Sequence, residues 1–391
     1  SNHHRESDGY PSDQVIGYPP NGNRLKLGNR MPRPKTPTVK AQPHVAIIGA
    51  GIAGITCART LAQAGMRVTV FEKSRGCGGR MSTRRSPFGD FDHGAQYFTM
   101  RDPRFEAALA TTAQTIKRWS ANTVRVMDAN GQVLATTGNP SDAHWVPVPG
   151  MNALVKAWAA PLQDGTLKGC NVVSQTRIVK LRQHGQQWAL EAEVTDPSSG
   201  VTDTETVGNF DHVVLAIPSA QAHALLASSN EKPDWQSKIA DVLVDPCWTL
   251  MLAYPQANQP IGPHWNVARS IHHRVSWVAR ESSKPGRSTV ERWTVQASPQ
   301  WSQEHVNDAP DRVIAKLTKA FGEITGIRVT PSHAEVHRWL YAQTRRPLGQ
   351  PFLSDSTRQL SVCGDWCLGN RVENGFVSGL ELALAIAQNQ D

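Results

Sequence analysis

The stretch His44-Val-Ala-Ile-Ile-Gly-Ala-Gly-Ile-Ala-Gly-Ile55 decides the fold that we predict for this chain. Its first five residues are mostly apolar and rich in β-branched side chains, which is typical of a buried parallel strand. Gly49, Gly51 and Gly54 follow with the spacing G-x-G-x-x-G, and the residues from Ile52 to Ala64 have the apolar period of a helix. The stretch therefore predicts a strand, a glycine-rich turn and a helix that begins at the turn.

The three glycines have separate roles in such a turn. Gly49 permits the tight turn, Gly51 lets the backbone approach a pyrophosphate, and Gly54 lets helix and strand pack closely. The helix N-terminus adds roughly half a positive charge and unpaired N–H groups that favour phosphate. A second predicted strand, Arg67 to Phe71, ends at Glu72, whose carboxylate is placed to bind a ribose hydroxyl. We predict a dinucleotide-binding unit, since a turn that only packs a helix on a sheet leaves Glu72 unexplained.

The totals narrow the class of protein. A chain of 391 residues is long enough for two domains, and its charged fraction of 19% is ordinary for a soluble protein. The net charge is +8, and about half of it lies in residues 1–42, where seven Lys or Arg accompany three acids. The remainder is nearly balanced, so no nucleic-acid partner is predicted, while attraction of an anionic substrate stays open.

Cysteine usage and hydropathy predict a cytoplasmic protein. No apolar run has the length of a membrane span, and no signal-peptide core is present. Six cysteines are scattered along the chain without a C-x-x-C pair, at Cys57, Cys77, Cys170, Cys247, Cys363 and Cys367. This pattern favours free thiols in a reducing compartment. We predict no metal site, because His272 and His273 have no carboxylate or Cys at a useful spacing.

The pattern along the chain predicts two domains and a leader. Residues 1–42 are polar, rich in Pro, Gly and Asn, and lack hydrophobic period, which predicts a flexible leader. A targeting remnant and a partner-docking arm are the alternatives. We predict an α/β fold in which a Rossmann-like domain carries a second, α+β substrate domain. The nucleotide-binding domain is predicted over residues 43–95, 150–225 and 355–391, and the substrate domain over 96–149 and 226–354.

Several further elements are predicted along the chain. The periodicity predicts a helix over Pro103 to Ala121 and a hairpin over Val124 to Thr136 around Asn130-Gly131. Alternating residues predict one strand over Val172 to Leu181 and another over Val275 to Ala279.

The C-terminal stretch Leu360 to Gly379 predicts a strand, an acidic turn and a glycine-bounded helix start. A simple nicotinamide dehydrogenase needs little at this end of the chain. Asp365 is placed to bind a ribityl hydroxyl near the pyrophosphate. The N–H groups of residues 372–374, at a helix N-terminus, suit negative charge on a reduced flavin pyrimidine. We interpret Cys363, on the preceding strand, as a buried thiol rather than a covalent attachment point for flavin.

These motifs together resemble a known superfamily over roughly residues 43 to 388. The FAD-binding amine oxidase superfamily is indicated by Gly49 to Gly54, Glu72, Gly78-Gly79-Arg80 and Gly364-Asp365 with Gly379. Four further stretches resemble a narrower group, the bacterial renalase-type proteins. They are Phe91-Asp-His-Gly-Ala-Gln-Tyr-Phe98, Trp277 to Arg287, Ala297 to Trp301 and His337 to Ala342.

The resemblance implies a glutathione-reductase and amine-oxidase type of FAD domain with a noncovalent FAD. It also implies oxidation of the 2- and 6-dihydro isomers of NAD(P)H, with hydride transfer to FAD and reduction of O2 to H2O2. The donor becomes aromatic as it loses hydride, so no protein base is needed at the carbon. Catalysis then rests on orientation and on exclusion of competing chemistry. Consistent with this, the sequence contains no convincing nucleophile–base pair.

The resemblance assigns candidate residues for both ligands. The cofactor-binding candidates are Gly49, Gly51, Ala53, Gly54, Glu72, Lys73, Gly79, Arg80, Met81, Ala95, Gln96, Ile178, Gly364, Asp365, Val372 and Glu373. The catalytic candidates are Gln96 and Tyr97 beside the flavin, and Trp277, Arg280, His337 and Tyr341 as a substrate wall. A cation such as Arg280 suits a substrate phosphate or a carboxamide dipole. Core packing for the two wall aromatics, and a solvated loop for Arg280 and Arg287, are the alternatives.

Two other functions stay open at this point. Another flavin amine oxidase or desaturase of the superfamily would act on an amine, a carotenoid or a porphyrinogen. An amine site would require an aromatic cage at the flavin. A carotenoid or porphyrinogen site would require an exposed apolar patch. A flavin-binding assembly or scaffold protein, whose leader docks a partner, is the alternative from a different class.

Overall fold

A computed structural model of the chain describes residues 41–120, 124–136, 143–257, 259 and 261–390. The predicted leader therefore lies outside the described residues, except for its last two positions. The strands of the described part are β1 His44–Ile48, β2 Arg67–Phe71, β3 Ile116–Trp119, β4 Val124–Met127, β5 Val133–Thr136, β6 His144–Pro147, β7 Cys170–Val173, β8 Thr176–His184, β9 Gln187–Thr195, β10 Thr202–Phe210, β11 His212–Leu215, β12 Leu243–Tyr254, β13 Val267–Ser270, β14 Val275–Arg280, β15 Glu291–Ala297, β16 His333–Arg346, β17 Leu353–Asp355 and β18 Leu360–Val362.

The described α-helices connect these strands and cover the sheets. They are α1 Ile52–Gln63, α2 Pro103–Ala110, α3 Asn152–Gln163, α4 Ser219–Ser228, α5 Gln236–Ala240, α6 Pro299–Glu304, α7 Pro310–Thr325 and α8 Val372–Gln388.

The first sheet has six strands in the order β17-β18-β11-β1-β2-β7. Every neighbouring pair is parallel except β17 with β18. Side chains alternate along β1, so Val45 and Ile47 pack in one core with residues of α1, α3 and α8. Ala46 and Ile48 face the opposite side, where they pack with residues of β9 and α4. This Rossmann-like arrangement confirms the predicted fold class.

The second large sheet has seven strands in the order β16-β12-β15-β14-β13-β4-β5. Its pairs are antiparallel except β13 with β4. One face packs on α7, where Trp293 and Val295 share a core with Leu317 and Phe321. The opposite face contributes Trp277, among other residues, to the core that contains α1. The second face therefore points toward the glycine-rich loop, and α7 covers the first.

Two predicted elements are wrong in extent. The helix predicted over Pro103 to Ala121 ends at Ala110, and Ile116–Trp119 instead forms β3, which pairs with β6. The β-branched Thr111 and Thr112 follow the last helical residue, and the indole of Trp119 donates to Ser283 at 3.2 Å, so tertiary packing overrides the helical period.

The strand predicted over Val172 to Leu181 is divided between two sheets. Its first part is β7 and its second part is β8, with Gln175 between them at a φ of 50°. The hairpin predicted over Val124 to Thr136 is confirmed by the pairing of β4 with β5. None of the helices in the described part has both the length and the apolar character that a membrane span requires. The proposed division into domains and the cytoplasmic location stay predictions.

Candidate cofactor and substrate site

The glycine-rich loop leads from β1 into α1 by close backbone contacts. Gly49 N donates to Phe71 O at 2.8 Å, which ties the turn to β2. A Cβ on Gly54 would stand 2.0 Å from Gly49 O, whereas no described atom lies within 4 Å of a Cβ placed on Gly51. No side chain caps α1, whose N-cap is Gly51, so its first N–H groups face this open space. The loop therefore fits the pyrophosphate of a dinucleotide.

Glu72 holds the same turn from the end of β2. Its carboxylate accepts from Ala50 N at 2.8 Å and from the N and Oγ of Ser74 at 3.1 and 2.8 Å. The adjacent candidate Lys73 is exposed. Ile178 lies near the start of β8, two residues after Thr176, whose N donates to Glu72 O at 2.8 Å. The start of β8 is thus tied to Glu72, the residue that follows β2, which places Ile178 two residues from that contact.

The second glycine cluster lies directly against the first. A Cβ on Gly79 would stand 3.6 Å from Gly51 Cα, and Ala95 N donates to Arg80 O at 2.8 Å. The guanidinium of Arg80 pairs with Asp365 at 2.6 Å and donates to Ala342 O at 3.2 Å. The structure therefore brings together the candidates Gly51, Gly79, Arg80, Ala95 and Asp365, and buried Met81 follows in the same short helix, Gly79–Met81.

The start of α8 is held against α1 and α2. A Cβ on Gly379 would stand 2.2 Å from the carbonyl oxygen of Ala53, so the two helices approach at glycine. The carboxylate of Glu373 accepts from the N–H groups of Arg101 and Asp102 at 2.8 and 2.6 Å. Since this side chain is engaged with the start of α2, Glu373, like Val372, would contribute its backbone N–H to a cofactor.

Three of the predicted catalytic residues lie together in the structure. The indole of Trp277 donates to Gln96 Oε1 at 3.4 Å, and the Tyr97 ring stacks on Trp277 with centroids 5.7 Å apart. Tyr97 also stacks on His144 at 3.8 Å. We call Tyr97, His144 and Trp277 the aromatic wall. Its rings form one stacked row that ends at Gln96, whose side chain is 6% exposed.

Arg280 does not lie on this wall, contrary to the prediction. Residues 277 and 280 are separated by an odd number along β14, so their side chains point to opposite faces of the sheet. The guanidinium of Arg280 pairs with Glu291 at 3.1 Å and lies 4.6 Å from the ring of Trp293, on the face that α7 covers. The solvated-loop alternative is also wrong, because Arg280 is 7% exposed.

A different arginine lies beside the wall. Arg269 of β13 is the cross-strand partner of Trp277, and its guanidinium carbon lies 5.5 Å from the indole centroid. The same guanidinium donates to the hydroxyl of Tyr97 at 3.2 Å, and the side chain is exposed. The sequence pattern does not single out Arg269, because β13 has only four residues and is not predicted as a strand.

His337 belongs to a second group, on β16. Its Nδ1 lies 2.9 Å from the guanidinium of Arg84, and its ring packs on Trp339 at 4.3 Å and on His93 at 4.8 Å. Because a guanidinium can only donate, Nδ1 of His337 accepts and Nε2 carries the hydrogen. Tyr341 lies where the register of β16 shifts, next to Ala342 and therefore near Arg80. His337 and Tyr341 are thus placed apart from the Trp277 contacts.

Both imidazoles of this group are weak bases. Burial, followed by the neighbouring His337 and Arg84, lowers the pKa of His93 to about 3. Burial and the charge of Arg84 lower the pKa of His337 to about 4. Neither ring is therefore a general base suited to neutral pH, for which a pKa near 7 is best.

A buried charge network supports the wall from behind. Lys284 lies 3.2 Å from Asp92 and 3.1 Å from Glu281, and Arg287 lies 2.6 Å from Asp92. All four side chains are at most 2% exposed. Lys284 also donates to Gln96 Oε1 at 3.3 Å. The network thus ends on Gln96, and Arg287 is not the solvated residue that one alternative expected.

The pKa values of the two carboxyl groups of the network shift in opposite directions. Burial opposes charge on Asp92, but Lys284, Arg287 and the N–H of Met151 outweigh it and hold the Asp92 pKa below its ordinary value. Burial raises the pKa of Glu281. Asp92, His93 and Lys284 lie within motifs that mark the resemblance, yet spacing alone does not show that they are buried together. In the described ranges, no group of three or more His, Cys, Asp or Glu residues is arranged to hold a metal ion.

Comparison with known families agrees with this geometry. The profile of an NAD(P)-binding Rossmann-like domain matches residues 47–112. The profile of flavin containing amine oxidoreductase matches residues 134–387, which is more than half of the chain.

Relatives share shorter stretches. YobN of Bacillus subtilis, named as an L-amino-acid oxidase, is 39% identical over 80 residues, which is 20% of this chain and 16% of that protein. The hydroxyneurosporene desaturase of Rubrivivax gelatinosus is 41% identical over 77 residues, 19% of this chain and 15% of that protein. The matched stretches thus span less than a fifth of these relatives.

A solved structure resembles the whole fold. A protein from Exiguobacterium sp. 255-15, named as a protoporphyrinogen oxidase, superposes with a TM-score of 0.69 over 90% of this chain and 100% of that chain. Its sequence identity is 10%, so the likeness concerns the fold alone.

Proposed function

Because this chain belongs to the flavin containing amine oxidoreductase family, with FAD as its cofactor, we propose that it is an oxidase of misreduced nicotinamide nucleotides. The substrates are the 2- and 6-dihydro isomers of NAD(P)H. In each turnover one dihydronicotinamide, one O2 and one proton give one NAD(P)+ and one H2O2. When bound, FAD would supply the two-electron chemistry that links loss of hydride from the substrate to reduction of O2.

The residues at the glycine-rich loop fit a dinucleotide cofactor. The open space at Gly51 and the uncapped start of α1 suit the pyrophosphate, and Glu72 suits the adenosine ribose. Arg80 and Asp365 would hold the pyrophosphate and ribityl end, where they now contact each other at 2.6 Å. We propose noncovalent binding, since Cys363 and Cys367 are fully buried thiols whose pKa is raised.

The observation that carries the proposal is the row of stacked aromatic rings that ends at Gln96. Tyr97 and Trp277 present stacked rings beside Gln96, which suits a flat nicotinamide ring. The carboxylates nearby are engaged, Asp92 and Glu281 by Lys284 and Asp365 by Arg80. A donor that becomes aromatic on losing hydride needs no base, so holding and orienting the ring is what these residues have to do.

Oxidation of an L-amino acid is the second candidate. Arg269 is an exposed cation beside the wall, and it suits a carboxylate as well as a phosphate. An amino acid also has to lose an ammonium proton before it donates hydride, and the imidazoles of His93 and His337 are poor bases for that proton. The weak basicity of these two imidazoles favours the dihydronicotinamide, which has no such proton to lose.

Anaerobic reduction of the purified holoenzyme tests the proposal. We would mix it separately with 6-dihydroNAD, ordinary NADH, L-amino acids and primary amines, and follow the loss of yellow flavin absorbance. Rapid bleaching by the 6-dihydro isomer, followed by one H2O2 per FAD on admission of air, is the expected result. Bleaching by amino acids or amines, with the 6-dihydro isomer inert, would contradict it.

A further inference from the structure

We infer that Arg269 recognises an anionic group of the substrate, which under the proposed function is the 5′-phosphoryl group of the dihydronicotinamide nucleotide. The inference rests on the proposed function for the identity of that anion. The position of Arg269 relative to the wall is fixed, because Arg269 and Trp277 are directly paired across β13 and β14. A planar group that stacks on the aromatic wall therefore carries its substituents past this guanidinium.

Arg269 differs from the other arginines near the site in its ion pairing among the described residues. Of the arginines near the site, Arg80 pairs with Asp365, Arg84 with Glu335, Arg280 with Glu291 and Arg287 with Asp92. Within the residues that the structure describes, no carboxylate lies within 4.0 Å of the Arg269 guanidinium. Its polar contact there is with the neutral hydroxyl of Tyr97. Among the described residues, most of its five N–H donors therefore have no hydrogen-bond acceptor.

The guanidinium is also held in place, which a binding cation requires. Its contact with the Trp277 ring at 5.5 Å and its hydrogen bond to Tyr97 at 3.2 Å fix it from two sides. The solvent exposure of the residues at the wall increases from the inside to the outside. Lys284 and Gln96 are buried behind it, Trp277 is 6% exposed, and Arg269 is exposed at its outer edge. A substrate would insert its ring toward Gln96 and leave its charged end at Arg269.

Arginine is the residue type expected for this task. Its planar fork donates two parallel hydrogen bonds to a phosphate or a carboxylate, whereas lysine offers a point charge. Loss of hydrogen bonds to a charged group lowers affinity by about 10- to 100-fold. This is the effect that we expect for the phosphorylated substrate alone.

The test pairs two substrates with three variants. The substrates are the 6-dihydro isomers of nicotinamide mononucleotide and of nicotinamide riboside, which differ by the phosphoryl group. The variants are Arg269→Gln, Arg269→Lys and, as a matched control, Arg338→Gln, which removes an exposed arginine from β16. Anaerobic stopped-flow traces give the affinity and the limiting rate of flavin reduction for each pair.

We expect wild-type holoenzyme to bind the mononucleotide about 10- to 100-fold more tightly than the riboside. Arg269→Gln should abolish this preference, with a much larger loss of affinity for the mononucleotide than for the riboside. Arg269→Lys should keep part of the preference, and Arg338→Gln all of it. A wild-type enzyme without the preference, or an Arg269→Gln variant that keeps it or weakens both substrates equally, would overturn the inference.

Failure of the proposed function gives a different result. If neither nucleotide reduces the flavin and an L-amino acid does, the same variants are compared with that amino acid and its decarboxylated amine. Loss of the preference for the carboxylate in Arg269→Gln would keep Arg269 as the anion-binding residue while ending the dihydronicotinamide proposal. If no substrate reduces the flavin, calorimetry with oxidised nicotinamide mononucleotide decides, since absent or unchanged binding in Arg269→Gln would overturn the inference.

Discussion

The glycine-rich loop and the aromatic wall are held in place by different interactions. The loop depends on backbone groups, as in the bonds from Gly49 N to Phe71 O and from Gly78 N to Ala50 O at 2.8 and 2.9 Å. The wall depends on side chains, since Gln96 is held by Lys284 and Trp277 donates to Gln96. The loop admits no added atom at Gly54, whereas the network behind the wall admits no uncompensated charge.

This difference teaches what each region can tolerate. A loop made of close backbone approach fails by steric overlap, and its failure removes the cofactor. A wall supported by buried charges fails when one charge loses its partner, because an unpaired ion in a low-dielectric interior is costly. Each region should therefore be most sensitive to a different kind of substitution.

The largest effect is expected from Lys284→Met. Methionine fills a similar space, but its substitution removes the cation that lies 3.2 Å from Asp92 and 3.1 Å from Glu281. Breaking a buried ion pair from one side lowers the free energy of unfolding by about 3–5 kcal/mol. Urea unfolding of the FAD-loaded protein measures this loss, and the limiting rate of flavin reduction should fall because Gln96 loses its support.

The double variant Lys284→Met with Glu281→Gln is the control for charge. It neutralises Glu281, which loses its ion pair in Lys284→Met, whereas Asp92 keeps its pair with Arg287. The double variant should therefore recover part of the stability that Lys284→Met loses. A loss below about 1 kcal/mol in the single variant, a value typical of exposed ion pairs, would show that the network does not support the wall.

A smaller effect is expected from Gly54→Ala, with Gly51→Ala as its matched control. The added methyl group at Gly54 meets Gly49 O at 2.0 Å, and overpacking of this kind costs about 1–3 kcal/mol. At Gly51 the φ of −74° suits alanine, and no described atom lies within 4 Å. Gly51→Ala should therefore keep the stability of the apoprotein and weaken FAD binding, whereas Gly54→Ala should lose both.

Calorimetric FAD titration and thermal unfolding of the apoproteins separate these outcomes. Equal stability of the two variants would contradict the steric account of the loop. Unchanged FAD affinity in Gly51→Ala would contradict the placement of the pyrophosphate at Gly51.

The same contrast explains how far the sequence predicts the site. The loop is local, so the spacing of Gly49, Gly51 and Gly54 and the following Glu72 carry its geometry within one βαβ unit. The wall is assembled from distant segments, and Tyr97 and Trp277 meet only through the packing of the seven-stranded sheet. Their residue types mark them as candidates, but no spacing shows that they stack.

The choice between Arg280 and Arg269 shows the same limit. Alternation along the predicted strand Val275 to Ala279 already separates Trp277 from residue 280, and this parity argues against Arg280. Arg269 can be identified as the cation beside Trp277 only once the pairing of β13 with β14 is known. That pairing depends on tertiary contacts that cannot be read from the sequence. The carboxylate partners that distinguish these arginines also come from elsewhere in the chain.

The most direct test of the account is a crystal structure of the FAD-loaded enzyme with nicotinamide mononucleotide, the oxidised product form of the smaller substrate. We predict that the nicotinamide ring lies between the flavin and the wall residues Tyr97 and Trp277. The phosphoryl group should lie about 3 Å from the guanidinium of Arg269. A nicotinamide ring bound away from Trp277, with its phosphate contacting other residues, would contradict the central claim that this wall is the substrate site.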